Sequence, residues 1–145
     1  MKVFCKRLCF VLAIIIVLAI PVSASEEVAQ WASYYFRSSS TYLWKVNSTT
    51  FEVWYDITAV EGMDELGVSE IKVQRSTNGT NWTTMYTYTK ELYPQFIVED
   101  TAFHSGYVTY TGSPGYYYRA YVTYYAKKGT GSAEAYRYTD SMLLQ

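Results

Sequence analysis

Phe51-Glu52-Val53-Trp54-Tyr55-Asp56-Ile57-Thr58-Ala59 is the stretch whose reading decides the fold. Phe51, Val53, Tyr55, Ile57 and Ala59 share one parity, while Glu52, Asp56 and Thr58 share the other. Side chains of a strand alternate between the faces of a sheet, so a period of two with one apolar side marks a half-buried strand. Downstream, Ile71 and Val73 repeat the pattern against Glu70, Lys72 and Gln74. Glu61 to Ser69, polar and carrying Gly62 and Gly67, reads as the loop between them.

The same period organises the rest. Ser76 to Asn81 reads as a turn centred on Asn78-Gly79, and Trp82 to Thr89 as the returning strand. Lys90 to Ser105, with Pro94 and a polar cluster, reads as a long crossover before a short strand from Gly106 to Thr111. After the turn Gly112-Ser113-Pro114-Gly115, Tyr116 to Ala126 reads as the longest strand. Its Tyr118, Ala120, Val122 and Tyr124 face one way; Tyr117, Arg119, Tyr121 and Tyr125 face the other. Lys127 to Ser132 is a hairpin turn, and Ala133 to Ser141 closes the sheet. About seven short strands with frequent turns and no long helical period predict an all-β antiparallel sandwich.

The N-terminus follows a different rule. Lys2, Lys6 and Arg7 precede an unbroken apolar run from Phe10 to Ile20, then Pro21 and the small residues of Val22-Ser23-Ala24. That order predicts a secretory signal peptide over residues 1–24, cleaved after Ala24. The run has 11 residues against the about 20 that span a bilayer, so no transmembrane anchor is expected to remain. Residues 25–40 read as a linker or lead-in to the first strand, with Ser38-Ser39-Ser40 as a turn, and 41–145 as one domain. Cleavage removes Cys5 and Cys9, and with them every thiol. Disulfides, cysteine nucleophiles and cysteine-held metals are thereby excluded from the mature chain. It also leaves nine of the 12 bases against 13 acids, a net charge of −4, which argues against nucleic acid as partner.

Ile71-Lys72-Val73-Gln74-Arg75-Ser76-Thr77-Asn78-Gly79 followed by Trp82-Thr83-Thr84 resembles a hairpin of bacterial fibronectin type III domains. Pro114-Gly115 followed by Tyr118-Arg119-Ala120-Tyr121-Val122 resembles their tyrosine corner, with Tyr118 as the corner residue. Gly112 stands where that pattern usually has leucine. From about Ala59 to Ser141 the chain also resembles a family of small secreted proteins of unknown function from clostridia and related Gram-positive bacteria. Gly62-Met63-Asp64-Glu65-Leu66-Gly67, His104, Tyr117-Tyr118-Arg119-Ala120 and Tyr124-Tyr125-Ala126 carry that likeness. The resemblance implies a fibronectin- or immunoglobulin-like sandwich and an extracellular location, and brings no activity.

No catalytic constellation is legible. His104 is the single histidine, read on a polar loop, and no Gly-x-Ser-x-Gly turn accompanies it. Glu61, Asp64, Glu65, Glu70, Glu99 and Asp100 lack the spacing of a calcium loop, so neither a metal nor another cofactor is expected. A hydrolase built on a pair of these acids is the weakest alternative. The sequons at Asn47, Asn78 and Asn81 read as accidents of Thr-rich strands in a bacterial protein. What remains is the 17 tyrosines. Tyr117, Arg119, Tyr121 and Tyr125 form the candidate ligand-binding stripe, suited to a glycan or an extracellular protein surface. Tyrosine is also a strong strand former, which by itself accounts for such a stripe. The sequence thus predicts a secreted, non-enzymatic binding module, with self-assembly or envelope packing through an unpaired edge strand as the alternative.

Overall fold

The computed structural model describes residues 34–145; the signal segment, the cleavage site at Ala24 and residues 25–33 lie outside the described residues. The described chain is all-β and antiparallel, its seven strands joined in a single sheet that curls into a half-barrel. The strands are β1 (Phe36–Lys45), β2 (Thr50–Ser76), β3 (Thr83–Thr89), β4 (Ile97–Thr111), β5 (Tyr117–Lys128), β6 (Gly131–Tyr138) and β7 (Met142–Leu143). A single 3-10 turn, Pro94–Phe96, precedes β4.

β2 is the organiser, and it corrects the expectation of a loop at Glu61–Ser69. It runs 27 residues without a break. Laid straight it would measure about 90 Å, three times the ~30 Å diameter of a small domain, so it has to curl. Its first part pairs with β1 on one side and β4 on the other; its second part pairs with β5 and β3. The register with β4 shifts between Thr58 and Met63, and just past that shift, between the partners of Met63 and Glu65, Asp100 takes a φ of 51°. The polar residues there made the segment look like a loop, yet Met63, Leu66 and Val68 are buried. Gly67 is needed for close approach, because a Cβ there would run into the Phe96 carbonyl.

Other boundaries move for related reasons. The expected crossover at Lys90–Ser105 is mostly strand: after the 3-10 turn, β4 occupies Ile97 onward. Ser38-Ser39-Ser40 belongs to β1 instead of a turn, facing Thr58, Ile57 and Asp56. β5 is long, but β2 is longer. Ser76 to Thr83 is a wider connection than a tight hairpin. Asn78 holds it by accepting from the amides of Thr80 and Asn81, both at 2.9 Å, and only Gly79 takes positive φ, at 74°.

Inward-facing residues of both parts of β2 meet those of β5. Phe51, Val53, Ile57, Ile71, Val73, Ala120, Val122 and Tyr124 have no exposed surface. The Phe51 ring lies 5.1 Å from that of Tyr118, across the curl of the sheet. Tyr118 accepts from the Ser113 amide at 2.8 Å and donates to the Ser113 carbonyl, the hydrogen bonds of a tyrosine corner. Gly112 then has its reason: a Cβ there would sit 2.7 Å from the Tyr118 ring. The ends of the curl are tied as well, since Tyr124 donates to the Ser40 carbonyl and Arg137 to the Ser39 hydroxyl. Thr139, buried, anchors the end of β6 by accepting from the Ala120 amide at 2.9 Å.

Candidate functional site: two aromatic outer faces

Alternation leaves two outward faces, one on each half of the curl. The first belongs to β3, the second part of β2, β5 and β6. Tyr117, Arg119, Tyr121 and Tyr125 share it, as their parity requires, and all four are half-buried. Each is covered by neighbours from its own chain. The Arg119 guanidinium lies 4.4 Å from the Trp82 ring centre and 4.4 Å from that of Tyr138, and its Nε donates to Gln74 at 2.8 Å. Tyr121 stacks on Tyr136 at 5.3 Å, meets Tyr138 at 4.9 Å, and has the Lys72 ammonium 5.8 Å from its centre. Lys90 stands 4.1 Å over Tyr125. Tyr117 lies alongside Gly79 in the Ser76–Thr83 connection. Cations over ring faces satisfy the negative quadrupole of the rings, so the β5 rings of this face are engaged within the chain, while Tyr136 and Tyr138 on β6 stay exposed.

The second face belongs to β1, the first part of β2 and β4. Register brings Tyr42, Trp54 and Tyr107 into one row across three strands. The Tyr42 and Trp54 rings are parallel to within 1° at 6.2 Å, and Trp54 stacks on Tyr107 at 4.6 Å. Tyr42 is 48% exposed, Tyr107 51% and neighbouring Trp44 61%. Phe103 stands exposed at the far end of β4's outward row. Glu52 and Asp56 flank Trp54 on its own strand. Glu52 accepts from the Trp54 indole at 2.7 Å, and Asp56 accepts from the Ser40 hydroxyl. Ser38, Thr58, Ser105 and Thr109 fill the remaining outward positions paired with these residues, and none of them is a lysine or arginine.

Sequence reasoning missed this second face. Its signal was present in part, because Trp54 shares the parity of Glu52 and Asp56. The row itself depends on the offset between strands far apart in sequence, which no local pattern carries.

Several of the remaining chemistry-bearing residues have partners within the chain. His104 is on β4, not on a loop, with its Nε2 3.4 Å from the Tyr55 hydroxyl; burial lowers its pKa. Burial also pushes Tyr55 and Tyr88 up to about 12, so both stay neutral donors over the physiological range. Asp64 accepts from the Gly129 amide at 2.6 Å, Glu65 pairs with Lys127 at 2.8 Å and Glu70 with Lys72 at 2.8 Å. Among the described residues no three of His, Cys, Asp and Glu gather as metal ligands, and no helix is long and apolar enough to cross a membrane. No known family model matches the chain, and no curated protein matches it.

Proposed function

We propose that this is an exported, non-enzymatic binding module that recognises a glycan or protein surface through the outer face of β1, β2 and β4. The observation that carries the reading is the stacked row Tyr42–Trp54–Tyr107, whose outer rings are exposed around a half-buried Trp54, flanked by exposed Trp44. Aromatic rings exposed side by side on a stiff sheet offer large contact area at little entropic cost. The face of Tyr117, Tyr121 and Tyr125 is less suited, because Lys72, Arg119, Lys90 and their neighbours already occupy its rings. It serves as a stiffening layer.

Export rests on the basic, apolar and small-residue order of residues 1–24. A fibronectin type III-like sandwich is the finer reading of the fold, supported by the Tyr118–Ser113 corner and by the Phe51–Tyr118 contact across the curl. The likeness to the clostridial family of small secreted proteins supports the same compartment. A panel of polysaccharides and extracellular proteins, screened with wild type and Trp54→Ala, tests the binding reading. Capture that the variant loses while its circular dichroism is retained supports it; capture that survives the substitution contradicts it. N-terminal sequencing of protein from culture medium tests export, with Ser25 expected as the first residue.

One observation favours a second reading, self-assembly. β3 pairs only with β2 among the described strands, and Thr83-Thr84-Met85-Tyr86-Thr87-Tyr88-Thr89 contains no charge and no proline. Uncharged edge strands invite pairing with another copy. Sedimentation at rising concentration should then show dimers that Met85→Lys removes, whereas a monomer throughout rejects this reading.

A further inference from the structure

Asn78-Gly79 is the one asparagine–glycine pair in the chain, and the binding reading leaves it without a role. Such a pair loses ammonia readily, because glycine has no Cβ to hinder attack of its main-chain nitrogen on the asparagine Cγ. Here both reacting groups are held. The Gly79 amide donates to Ser76 Oγ at 2.9 Å. Asn78 Oδ1 accepts from the Thr80 and Asn81 amides and from the Ser76 hydroxyl, each at 2.9 Å. The Asn78 amide also donates to Ser76 Oγ, at 3.2 Å. Ser76 thereby uses its one donor and both of its lone pairs.

Ser76 is buried, 3% exposed, at the last position of β2 and opposite Tyr117 of β5. A buried hydroxyl whose bonds are all filled cannot move without leaving a partner unpaired, which is costly. Gly79 is fixed from its other side as well: it takes a φ of 74°, and a Cβ there would sit 3.8 Å from the Tyr117 ring. Closing a ring between Gly79 and Asn78 requires the Gly79 nitrogen to leave Ser76 and the Asn78 carboxamide to turn off its three donors. The connection opposes both movements, and Ser76 takes part in opposing each.

We propose that Asn78 is a latent deamidation site that Ser76 keeps closed. When the connection opens, the Gly79 nitrogen forms a bond to Asn78 Cγ, and its proton leaves with Nδ2 as ammonia. Water then opens the resulting succinimide to aspartate or isoaspartate, so no oxidant or further reactant is needed. Isoaspartate inserts an extra main-chain carbon and takes the side-chain acceptor off the Thr80 and Asn81 amides. Trp82 follows directly, and its ring centre lies 4.4 Å from the Arg119 guanidinium, so the modification loosens the cover over Arg119. The site lies on the half of the sheet that carries β3 and β5, apart from the Tyr42–Trp54–Tyr107 row, and stands independently of ligand binding.

To test it, the full chain is aged in mildly alkaline buffer and digested with trypsin, which releases Ser76 to Lys90 as one peptide carrying Asn78 and Asn81. Mass spectrometry and isoaspartate content report conversion at Asn78, with Asn81, followed by the bulky Trp82, as internal reference. Folded wild type should convert at least about tenfold more slowly than the same chain in urea. Ser76→Ala should convert about tenfold faster than folded wild type, the change that accompanies one lost hydrogen bond. Ser76→Cys, close in shape and a weak hydrogen-bonder, should lie between them and decides the matter if the alanine variant does not fold. Tyr118→Phe weakens the fold elsewhere, leaves the Ser76 bonds in place, and should age as wild type does. Folded wild type converting as fast as the chain in urea overturns the proposal. So does a rate in the Ser76 variants equal to wild type, or below it, which would make the hydroxyl a promoter of the reaction. Equal acceleration in Tyr118→Phe overturns it too, because global opening would then control the rate.

Discussion

The two outer faces of this sheet begin from the same rule and end differently. On the half built from β3, β5, β6 and the second part of β2, aromatic rings alternate with Lys72, Arg119 and Lys90, which cover them. On the half built from β1, β4 and the first part of β2, a half-buried Trp54 sits between Glu52 and Asp56, and Tyr42, Trp44 and Tyr107 around it remain open to solvent with no cation stacked on them among the described residues. Strand alternation puts aromatics outside on both halves; the neighbours on adjacent strands decide whether they are used up within the chain. Tyrosine content therefore reports a sheet, and register reports which surface is free.

The largest way to break the comparison is to remove what both faces share. Leu66 is fully buried at the curl of β2, and Leu66→Ala should cost about 2–5 kcal/mol in chemical denaturation. Both faces should then be lost in one transition; two separable transitions would mean that the halves fold apart. A smaller effect separates the faces. Arg119→Ala removes two cation–ring contacts and should destabilise by about 1–2 kcal/mol, whereas Glu52→Gln should change stability by less than about 0.5 kcal/mol. Equal costs would erase the distinction between a closed face and an open one.

Next in size, Tyr118→Phe keeps the buried ring and removes the hydroxyl that bonds the Ser113 amide and carbonyl, and should cost about 1 kcal/mol. No loss in thermal melting would reduce the corner to a packing contact. The smallest expected effect is on pH. Burial lowers the His104 pKa below its ordinary value of 6.5, so the unfolded chain takes up the proton first. The contribution is complete above about pH 6.5 and is lost as pH falls through the lower folded value. His104→Gln should flatten that dependence in urea midpoints between pH 5 and 8; a wild-type midpoint that rises on acidification contradicts it.

Much of the core was legible. The parity of Phe51, Val53, Tyr55, Ile57 and Ala59, and of Tyr118, Ala120, Val122 and Tyr124, matches the buried residues because one face of each strand meets apolar neighbours. Glu61–Ser69 misled because a curled strand shows polar side chains at its bend, and because Gly67 is there for the Phe96 carbonyl instead of for a turn. Ile97–Ser105 misled because the irregularity at Asp100 interrupts the period. The stripe at Tyr117, Arg119, Tyr121 and Tyr125 was placed on the right side of its strand, yet nothing local to it foretold Trp82 and Tyr138 closing over Arg119. Trp54 had the correct parity, but its row with Tyr42 and Tyr107 exists only once three strands are aligned.

The central claim is that one face binds and the other braces. The most direct measurement compares Trp54→Ala with Tyr121→Ala, reading the dissociation constant for a captured ligand and the melting temperature on the same samples. The account predicts that Trp54→Ala loses binding while staying folded, and that Tyr121→Ala melts earlier but binds as wild type does. Binding lost in Tyr121→Ala and kept in Trp54→Ala would contradict it.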